Sequence, residues 1–473
     1  MKAIKYLLIG ALITGFSAPM VAQDVKSDIE KMTKLVKDNK GNTAAIQSEI
    51  KNFRKAYKKN AEALTALGRA YLDVKDTANA QLFAETAIKV NSKYGPGYVL
   101  MGDIEAFKDN GGEASAWFEQ ATVMDPQNVD GYRRYAQVNS KANPAAAVAK
   151  LEDLRKVRPD YPVDIISAEI YDKAGNIKKA VSYYDKVDRS KMEDYQLAAY
   201  STDCYLLADY QKSLEIAEAG RTRFANNAGL NRLALFNLTE LNRFPEAIAA
   251  GNALLTSDKV KLSGNDHLYL GMAYSGNKDY DNAIDQFNKA IALDANNKAM
   301  QVKIYKVLSD VYAEKGDVDS AVAAFNKYVD NADKVTAYEY SKLPNIYMAQ
   351  AEKATGADQM KYYTEADKAW GVIADKFPSV ADYATYQRAH IGYKLDPETK
   401  TGAAKPHYEK LIELIKAKSA PDESDKARLV EAYRYLGYYY TLHNDKALAT
   451  ENWKKVLEID PENVAAKQVL GIK

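Results

Sequence analysis

The side chains that most often carry chemistry in proteins are few and scattered in this 473-residue sequence. The four histidines are His267, His390, His407 and His443, and no two of them have the helical spacing of a metal-binding pair. The single cysteine, Cys204, can form neither an intrachain disulfide nor a four-cysteine metal site. We therefore predict no catalytic residue, no metal site and no cofactor, and we expect that the chain is not an enzyme.

The remaining chemical signals have ordinary structural explanations. Cys204 occupies a place on a predicted helix that is usually apolar, which favours a buried, inert thiol over a reactive one. The pair Gly111 and Gly112 is too short for a phosphate-binding loop. It falls at a turn between helices, where glycine commonly caps a helix end. Paired carboxylates arise by chance among 64 acidic residues on regular helices, so they indicate solvated faces.

The composition is that of a globular protein without a dominant charge. Hydrophobic residues make up 47% and charged residues 27%, which leaves enough apolar surface for a core. Lys and Arg total 65 against 64 Asp and Glu, so no overall field attracts phosphate backbones, and we expect no nucleic-acid partner. Tyrosine is unusually frequent, with 35 residues against 11 Phe and 3 Trp, and this excess requires a structural or binding explanation.

The N-terminus has the pattern of an export signal. Two lysines within residues 1–5 precede an apolar and small stretch over 6–16 and a short, weakly polar segment over 17–23. The apolar stretch falls well short of the roughly twenty residues needed to cross a bilayer. No cysteine follows it, so the lipid-attachment pattern of bacterial lipoproteins is missing. We predict a signal peptide over residues 1–22, cleaved after Ala22, and a periplasmic or secreted mature chain without a transmembrane segment.

The sequence repeats itself with a period of 34 residues, which is the separation of Gly68 and Gly102. A small residue lies twelve residues after each glycine, an apolar or aromatic residue lies sixteen residues after it, and another small residue lies nineteen residues after it. In the second copy these are Ala114, Phe118 and Ala121. The clearest copy lies near the C-terminus and consists of Tyr433, Leu436, Gly437, Tyr440, Ala449, Trp453, Val456 and Pro461.

These spacings predict two packed helices in each period. Spacings of three and four place the large residues on one face of each helix. Small residues such as Gly437 and Ala449 allow the two backbones to approach, while large ones such as Trp453 fill the space between units. Proline then ends the second helix because it has no amide hydrogen to donate. Each hairpin forms only half a core and requires a neighbour.

This pattern resembles the tetratricopeptide repeat, position by position, over roughly residues 61–473. The resemblance implies an all-α fold, namely a right-handed α-solenoid of about eleven stacked helix-turn-helix hairpins. Residues 23–60 are then an N-terminal capping helical pair and residues 61–336 form repeats 1–8. Residues 337–473 form repeats 9–11 and are irregular, with longer helices and loops.

The tyrosines suggest where a partner binds. At least half of the excess occupies expected core positions, so packing explains it. Other residues fall at places on the first helix of each repeat that should face the concave side, and aromatic residues and arginine are favoured in binding hot spots. The candidate groove consists of Arg69, Arg133, Gln137, Tyr195, Tyr205, Arg232, Phe236, Tyr338, Asn345, Tyr393, Arg434 and Tyr438.

These observations favour a non-enzymatic protein-protein interaction scaffold or adaptor of the bacterial cell envelope, which binds a peptide or a partner protein in the concave groove. Two alternatives remain open. The chain is a structural component that self-associates into an envelope assembly through its convex face or its irregular C-terminal part. Alternatively it binds glycans, because exposed tyrosines stack on sugars.

Overall fold

The computed structural model of the chain describes residues 20–40, 42–256 and 260–472. Regular secondary structure within these ranges is entirely helical, which confirms the predicted all-α fold. The chain forms two compact units, Met1–Leu233 and Ala234–Lys473, and the boundary falls inside one helix.

The described residues of the first unit form these helices before the boundary helix: α1 (Met20–Asp38), α2 (Gln47–Ala56), α3 (Ala61–Asp73), α4 (Thr77–Val90), α5 (Gly95–Phe107), α6 (Gly111–Met124), α7 (Val129–Asn139), α8 (Pro144–Val157), α9 (Val163–Lys173), α10 (Ile177–Tyr184), α11 (Asp194–Leu206) and α12 (Tyr210–Arg223). A short 3-10 segment, Arg189–Lys191, lies between α10 and α11.

The boundary helix and the second unit comprise α13 (Ala228–Glu240), α14 (Phe244–Leu255), α15 (Gly264–Gly276), α16 (Tyr280–Leu293), α17 (Lys298–Lys315), α18 (Val318–Asn331), α19 (Ala337–Tyr340), α20 (Lys342–Lys353), α21 (Gly356–Lys376), α22 (Ala381–Leu395), α23 (Lys405–Lys416), α24 (Glu423–Leu442), α25 (Lys446–Ile459) and α26 (Val464–Leu470). A 3-10 segment, Pro378–Val380, precedes α22.

From α3 onward the helices pack as successive hairpins. The pairs in the first unit are α3/α4, α5/α6, α7/α8, α9/α10 and α11/α12. The pairs in the second unit are α13/α14, α15/α16, α17/α18, α20/α21, α22/α23 and α24/α25. We call the two members of each pair its first helix and its second helix. Within each unit second helices also pack on the first helix of the following pair, so each unit is a stack of hairpins as in an α-solenoid.

The turn inside a hairpin is specified by local hydrogen bonds. Gly316, with φ of 88°, ends the first helix in a left-handed conformation, and the Asp317 amide donates to the Tyr312 carbonyl at 2.9 Å. The Asp317 side chain then accepts from the Ser320 amide at 3.1 Å, which caps α18. Gly175, with φ of 72°, occupies the equivalent place before α10. Glycine therefore supplies the left-handed residue that both of these turns require.

Small residues set how closely the paired helices approach. A methyl group added at Gly437 would lie 2.8 Å from the Trp453 indole nitrogen, and one added at Gly271 would lie 2.8 Å from the Phe287 ring. Both rings are buried and belong to the second helix of the same hairpin. The aromatic residue therefore fills the space that the glycine leaves, as the repeat pattern predicts.

The segment before the first hairpin is also a helical pair. Ile46, Ile50 and Phe53 are buried, and the Tyr57 hydroxyl on this side donates to an Asp28 carboxylate oxygen of α1 at 2.7 Å. The apolar residues join the core of the first hairpin. The capping role predicted for this pair stays a prediction.

The predicted export signal over residues 1–22 lies outside the described residues, apart from the last three, with which α1 begins. Among the helices that the structure does describe, none combines the length and the apolar character that a bilayer crossing requires. Export of the chain stays a prediction.

The C-terminal hairpins depart from the regular pattern. The first helix of the ninth pair divides at Ser341, and Pro344 lies in the first turn of α20, where its missing amide costs no intrahelical hydrogen bond. Its partner α21 spans 21 residues. In the long loop after α22, the buried carboxylate of Asp396 accepts hydrogen bonds from three backbone amides, including that of Gly402 at 2.8 Å. These features give the C-terminal part longer helices and ordered loops.

Candidate partner-binding surface

The groups best suited to chemistry are buried or engaged. Burial raises the pKa of the Cys204 thiol to about 12, so a thiolate nucleophile is not available near neutral pH. His267 is buried, with Nδ1 2.7 Å from the Gln286 side-chain oxygen. Across residues 20–40, 42–256 and 260–472, no three His, Cys, Asp or Glu side chains form a group that could hold a metal ion. The exposed faces of the first helices are therefore the surfaces to consider.

Three of the predicted groove residues lie on α3 and α7 of the first unit. Arg69 forms an ion pair with Asp103 of the neighbouring first helix at 2.8 Å. Arg133 is exposed and pairs with Asp130 of its own helix at 2.8 Å. Gln137 is exposed one turn further along α7. Only the last two of these three side chains project freely enough to meet a partner without breaking a contact between helices.

Three further predicted residues lie on α11 and α13. Tyr195 is 58% exposed, and its hydroxyl donates to a Glu169 carboxylate oxygen of α9 at 3.2 Å. Tyr205 is half-buried with its ring centre 5.4 Å from that of Tyr210. Arg232 is half-buried near the end of the first unit. Tyr195 is thus the aromatic side chain that this unit presents most openly among the predicted residues.

The second unit holds the other six predicted residues: Phe236, Tyr338, Asn345, Tyr393, Arg434 and Tyr438. Phe236 packs against the neighbouring first helix, with its ring centre 4.1 Å from that of Tyr269, and is half-buried. Tyr338 on α19 is 82% exposed, and Asn345 on α20 is exposed. The remaining three lie on α22 and α24, which are the first helices of neighbouring hairpins.

The carboxylate of Glu431 on α24 joins this helix to α22 and α23. Glu431 accepts hydrogen bonds from His390 Nε2 at 2.7 Å, the Tyr386 hydroxyl at 2.8 Å and the Tyr408 hydroxyl at 2.7 Å. Burial raises the pKa of Glu431, but these hydrogen bonds outweigh burial, so its pKa is lowered overall. The negative charge therefore persists and holds both first helices, and the second helix α23, in fixed register.

The contact between His390 and Glu431 sets which residues of α22 and α24 lie at the same level in the following turns of the two helices. Tyr393 follows His390 by three residues on α22, and Arg434 and Tyr438 follow Glu431 by three and seven residues on α24. Such spacings keep residues on one helix face, and α22 and α24 run in the same direction because a single antiparallel helix separates them. Tyr393 and Tyr438 are each 49% exposed, and Arg434 is exposed.

We call these side chains the C-terminal aromatic surface, defined as His390, Tyr393, Arg434 and Tyr438. Arg434 makes no ion pair within the described part of the chain. The surface therefore combines two half-exposed phenol rings, an imidazole and an available guanidinium on a rigid base. Such groups bury large area at low entropic cost and can bind carboxylate or carbonyl oxygens of a partner.

Sequence reasoning missed the residue that organises this surface. Glu431 looks like an ordinary helical acid, and His390 was considered only as a possible metal ligand. Their separation of 41 residues exceeds the 34-residue period, so the pattern of one repeat gave no signal for the contact. The contact between His390 and Glu431 could have been predicted by aligning adjacent first helices with an insertion for the long loop at 396–404.

Two stretches of the chain, one in each unit, match models of a known family. Residues 61–94 and residues 268–335 each match a model described as tetratricopeptide repeat. Both stretches therefore contain tetratricopeptide repeats. The resemblance inferred from residue spacing is thereby confirmed.

Several solved structures are similar to the chain. The C-terminal part of a repeat protein from Cytophaga hutchinsonii is 24% identical, with 58% of this chain and 99% of that one covered and a TM-score of 0.41. A tetratricopeptide repeat protein from Parabacteroides merdae is 15% identical, with 51% and 95% covered and a TM-score of 0.32. The type IV pilus biogenesis factor PilW is 16% identical, with 44% and 97% covered and a TM-score of 0.33. No curated protein matches the chain.

Tetratricopeptide repeats are typically protein-interaction scaffolds and not catalysts, so the family supports a general role in binding other proteins. Each hairpin offers an exposed first-helix face beside its packed core. The C-terminal aromatic surface is the described face on which predicted binding residues from two neighbouring repeats meet.

Proposed function

We propose that the chain is an exported scaffold of the bacterial cell envelope that binds a peptide or a helix of a partner protein on its first-helix faces. The observation that carries the proposal is the C-terminal aromatic surface, where Tyr393, Arg434 and Tyr438 stay exposed above the hydrogen-bonded Glu431. An exposed aromatic and arginine cluster on a rigid base is the composition of a binding hot spot. The N-terminal sequence pattern supports export.

The binding proposal is tested by photo-crosslinking in intact cells. Tyr393 and Tyr438 are replaced one at a time by a photoreactive phenylalanine analogue, and Leu293 serves as the matched control. Leu293 is 52% exposed but lies on the second helix α16. We expect both tyrosine positions to crosslink one defined partner that the control position does not reach. Equal crosslinking from all three positions would argue against a binding site on the first helices.

The same experiment separates the alternatives. Crosslinks between two copies of this chain would indicate the self-associating assembly component, and the absence of any protein adduct would favour a glycan or another small ligand. Mass spectrometry of the crosslinked species identifies which of these is present. A strictly monomeric chain in light scattering at several concentrations would further disfavour self-association.

Export is tested separately from binding. We expect the mature chain to be recovered from the periplasmic or secreted fraction with Gln23 as its first residue, because cleavage is predicted after Ala22. Recovery of the uncleaved chain in the cytoplasmic fraction would refute this part of the proposal. It would leave the binding surface itself untouched.

A further inference from the structure

Three carboxylates meet between two neighbouring first helices of the first unit. Glu169 and Asp172 are half-buried on α9, and Asp203 of α11 is 1% exposed and lies within hydrogen-bonding reach of Asp172. Glu169 accepts hydrogen bonds from the Tyr195 hydroxyl at 3.2 Å and the Gln196 amide nitrogen at 2.7 Å. The acids therefore share one place on the first-helix face, beside an exposed aromatic ring.

Polar atoms at this place lack partners. One carboxylate oxygen of Asp203 is fully buried without a hydrogen bond, and so is the Tyr184 hydroxyl of α10. Burial, and then the charges of Asp172 and Asp203, raise the pKa of Tyr184, which places its hydroxyl near the same two acids. The cation at this group is Lys173, which is 3.6 Å from Glu169 and whose side chain is 74% exposed. Buried polar atoms without partners are costly, so the group is suited to a donor from outside.

The raised pKa of Asp203 also indicates that little positive charge lies close to the three acids. Burial, together with the neighbouring charge of Asp172, raises its pKa to about 7. Near neutral pH Asp203 is therefore partly protonated, and this proton removes negative charge that a bound cation would otherwise neutralise.

We infer that Glu169, Asp172 and Asp203 bind the lysine or arginine side chain of a partner, with the exposed ring of Tyr195 beside it. This inference rests on the proposed function of the first-helix faces in binding proteins. An ammonium or guanidinium group forms charge-assisted hydrogen bonds to carboxylates and is attracted to an aromatic face. Glu169 and Asp172 are accessible at the rim, and Asp203 lies behind them.

The binding depends on pH in a defined direction. A bound cation favours the charged form of Asp203, so binding below about pH 7 must release a proton. The groups that face Asp203 from the packed elements are Glu169, Asp172 and Lys173 of α9 and Tyr184 of α10. The affinity for a cation therefore rises from about pH 6 to about pH 8, as Asp203 loses its own proton.

The test measures binding of a dye-labelled trilysine amide to the purified chain by fluorescence anisotropy. We expect saturable binding to one site, and a loss of affinity of about tenfold in each of Asp172→Asn and Asp203→Asn. Asp160→Asn is the matched control, because its side chain is 66% exposed in the same unit and the change in charge is identical. The control should bind within about twofold of the parent chain.

Two outcomes would overturn the inference: no trilysine binding by the parent chain, or equal binding by the parent and all variants. If Asp203→Asn fails to fold by circular dichroism, Glu169→Gln at the rim takes its place with the same expectation. The photo-crosslinks from Tyr393 and Tyr438 lie in the other unit and do not require this site. Crosslinks without trilysine binding would thus refute this inference alone, while loss of the crosslinks would count against the proposed function.

Discussion

Removal of the Glu431 carboxylate should destabilise the second unit by a measurable amount. In Glu431→Ala three donors lose their acceptor, and Tyr408 is the critical one because it is only 3% exposed. Leaving a buried hydroxyl without a partner costs about 1–3 kcal/mol. His390 and Tyr386 can turn to water, and the Glu431 side chain is itself 38% exposed, so each of these bonds contributes only about 0.5 kcal/mol. The free energy of unfolding should therefore fall by about 2–4 kcal/mol.

The assay is urea unfolding followed by circular dichroism, compared at neutral and acidic pH. Because the pKa of Glu431 in the folded chain lies below its ordinary value of 4.5, its charge stabilises the fold above that pH. This contribution is lost as the pH falls through the folded pKa. The difference between the parent chain and Glu431→Ala should thus shrink from about pH 7 to about pH 3.

The control variant is Glu413→Ala, which removes an acid from α23 of the same unit. The Glu413 side chain is 66% exposed and pairs only with Lys410 of its own helix, so its loss should change stability by less than about 0.5 kcal/mol. A Glu431→Ala variant as stable as this control at neutral pH would refute the reasoning. It would show that the three hydrogen bonds do not fix α22 and α24.

Three further changes test the packing and the turns. Gly437→Ala should lower the free energy of unfolding by about 1–2 kcal/mol, because the new methyl group meets the Trp453 ring. Gly112→Ala should raise the free energy of unfolding by about 0.5 kcal/mol, because nothing lies within 4 Å of the new methyl group. Both changes are measured in thermal or urea melts. Ala208→Gly should stabilise the chain by about 0.5–1 kcal/mol, since Ala208 has φ of 59°, and an unchanged melt would contradict the strain assigned to it. Cys204 should react with a thiol reagent at about pH 8 only after urea unfolding, so rapid labelling of the folded chain would refute its burial.

The sequence was sufficient to predict the helical hairpins because their determinants are local. Spacings of three and four residues identify the packed faces, and Gly175 and Gly316 mark turns that require a left-handed backbone. The small residue at Gly437 and the large one at Trp453 belong to one period and meet in one hairpin. The family and fold class therefore follow from residues that lie within about one repeat of each other.

The candidate site was less accessible to sequence reasoning because it depends on contacts between repeats. Position on a helix indicates the direction of a side chain but not the neighbour it meets. Tyr205 and Phe236 were placed on the groove, yet each packs against another ring. Conversely, the Glu431 contacts and the meeting of Asp172 with Asp203 join residues of different hairpins, whose register depends on turn and loop lengths. Whether the twelve predicted residues bind a partner stays a prediction.

The central claim is that a partner binds the exposed faces of the first helices, and amide hydrogen exchange of the chain with and without its crosslinked partner tests it most directly. We predict slower exchange in α22 and α24 on binding, with α16 and other second helices unchanged, because contacts to Tyr393, Arg434 and Tyr438 oppose local opening of the helices that carry them. Protection confined to second helices, or no protection in any first helix, would contradict the account.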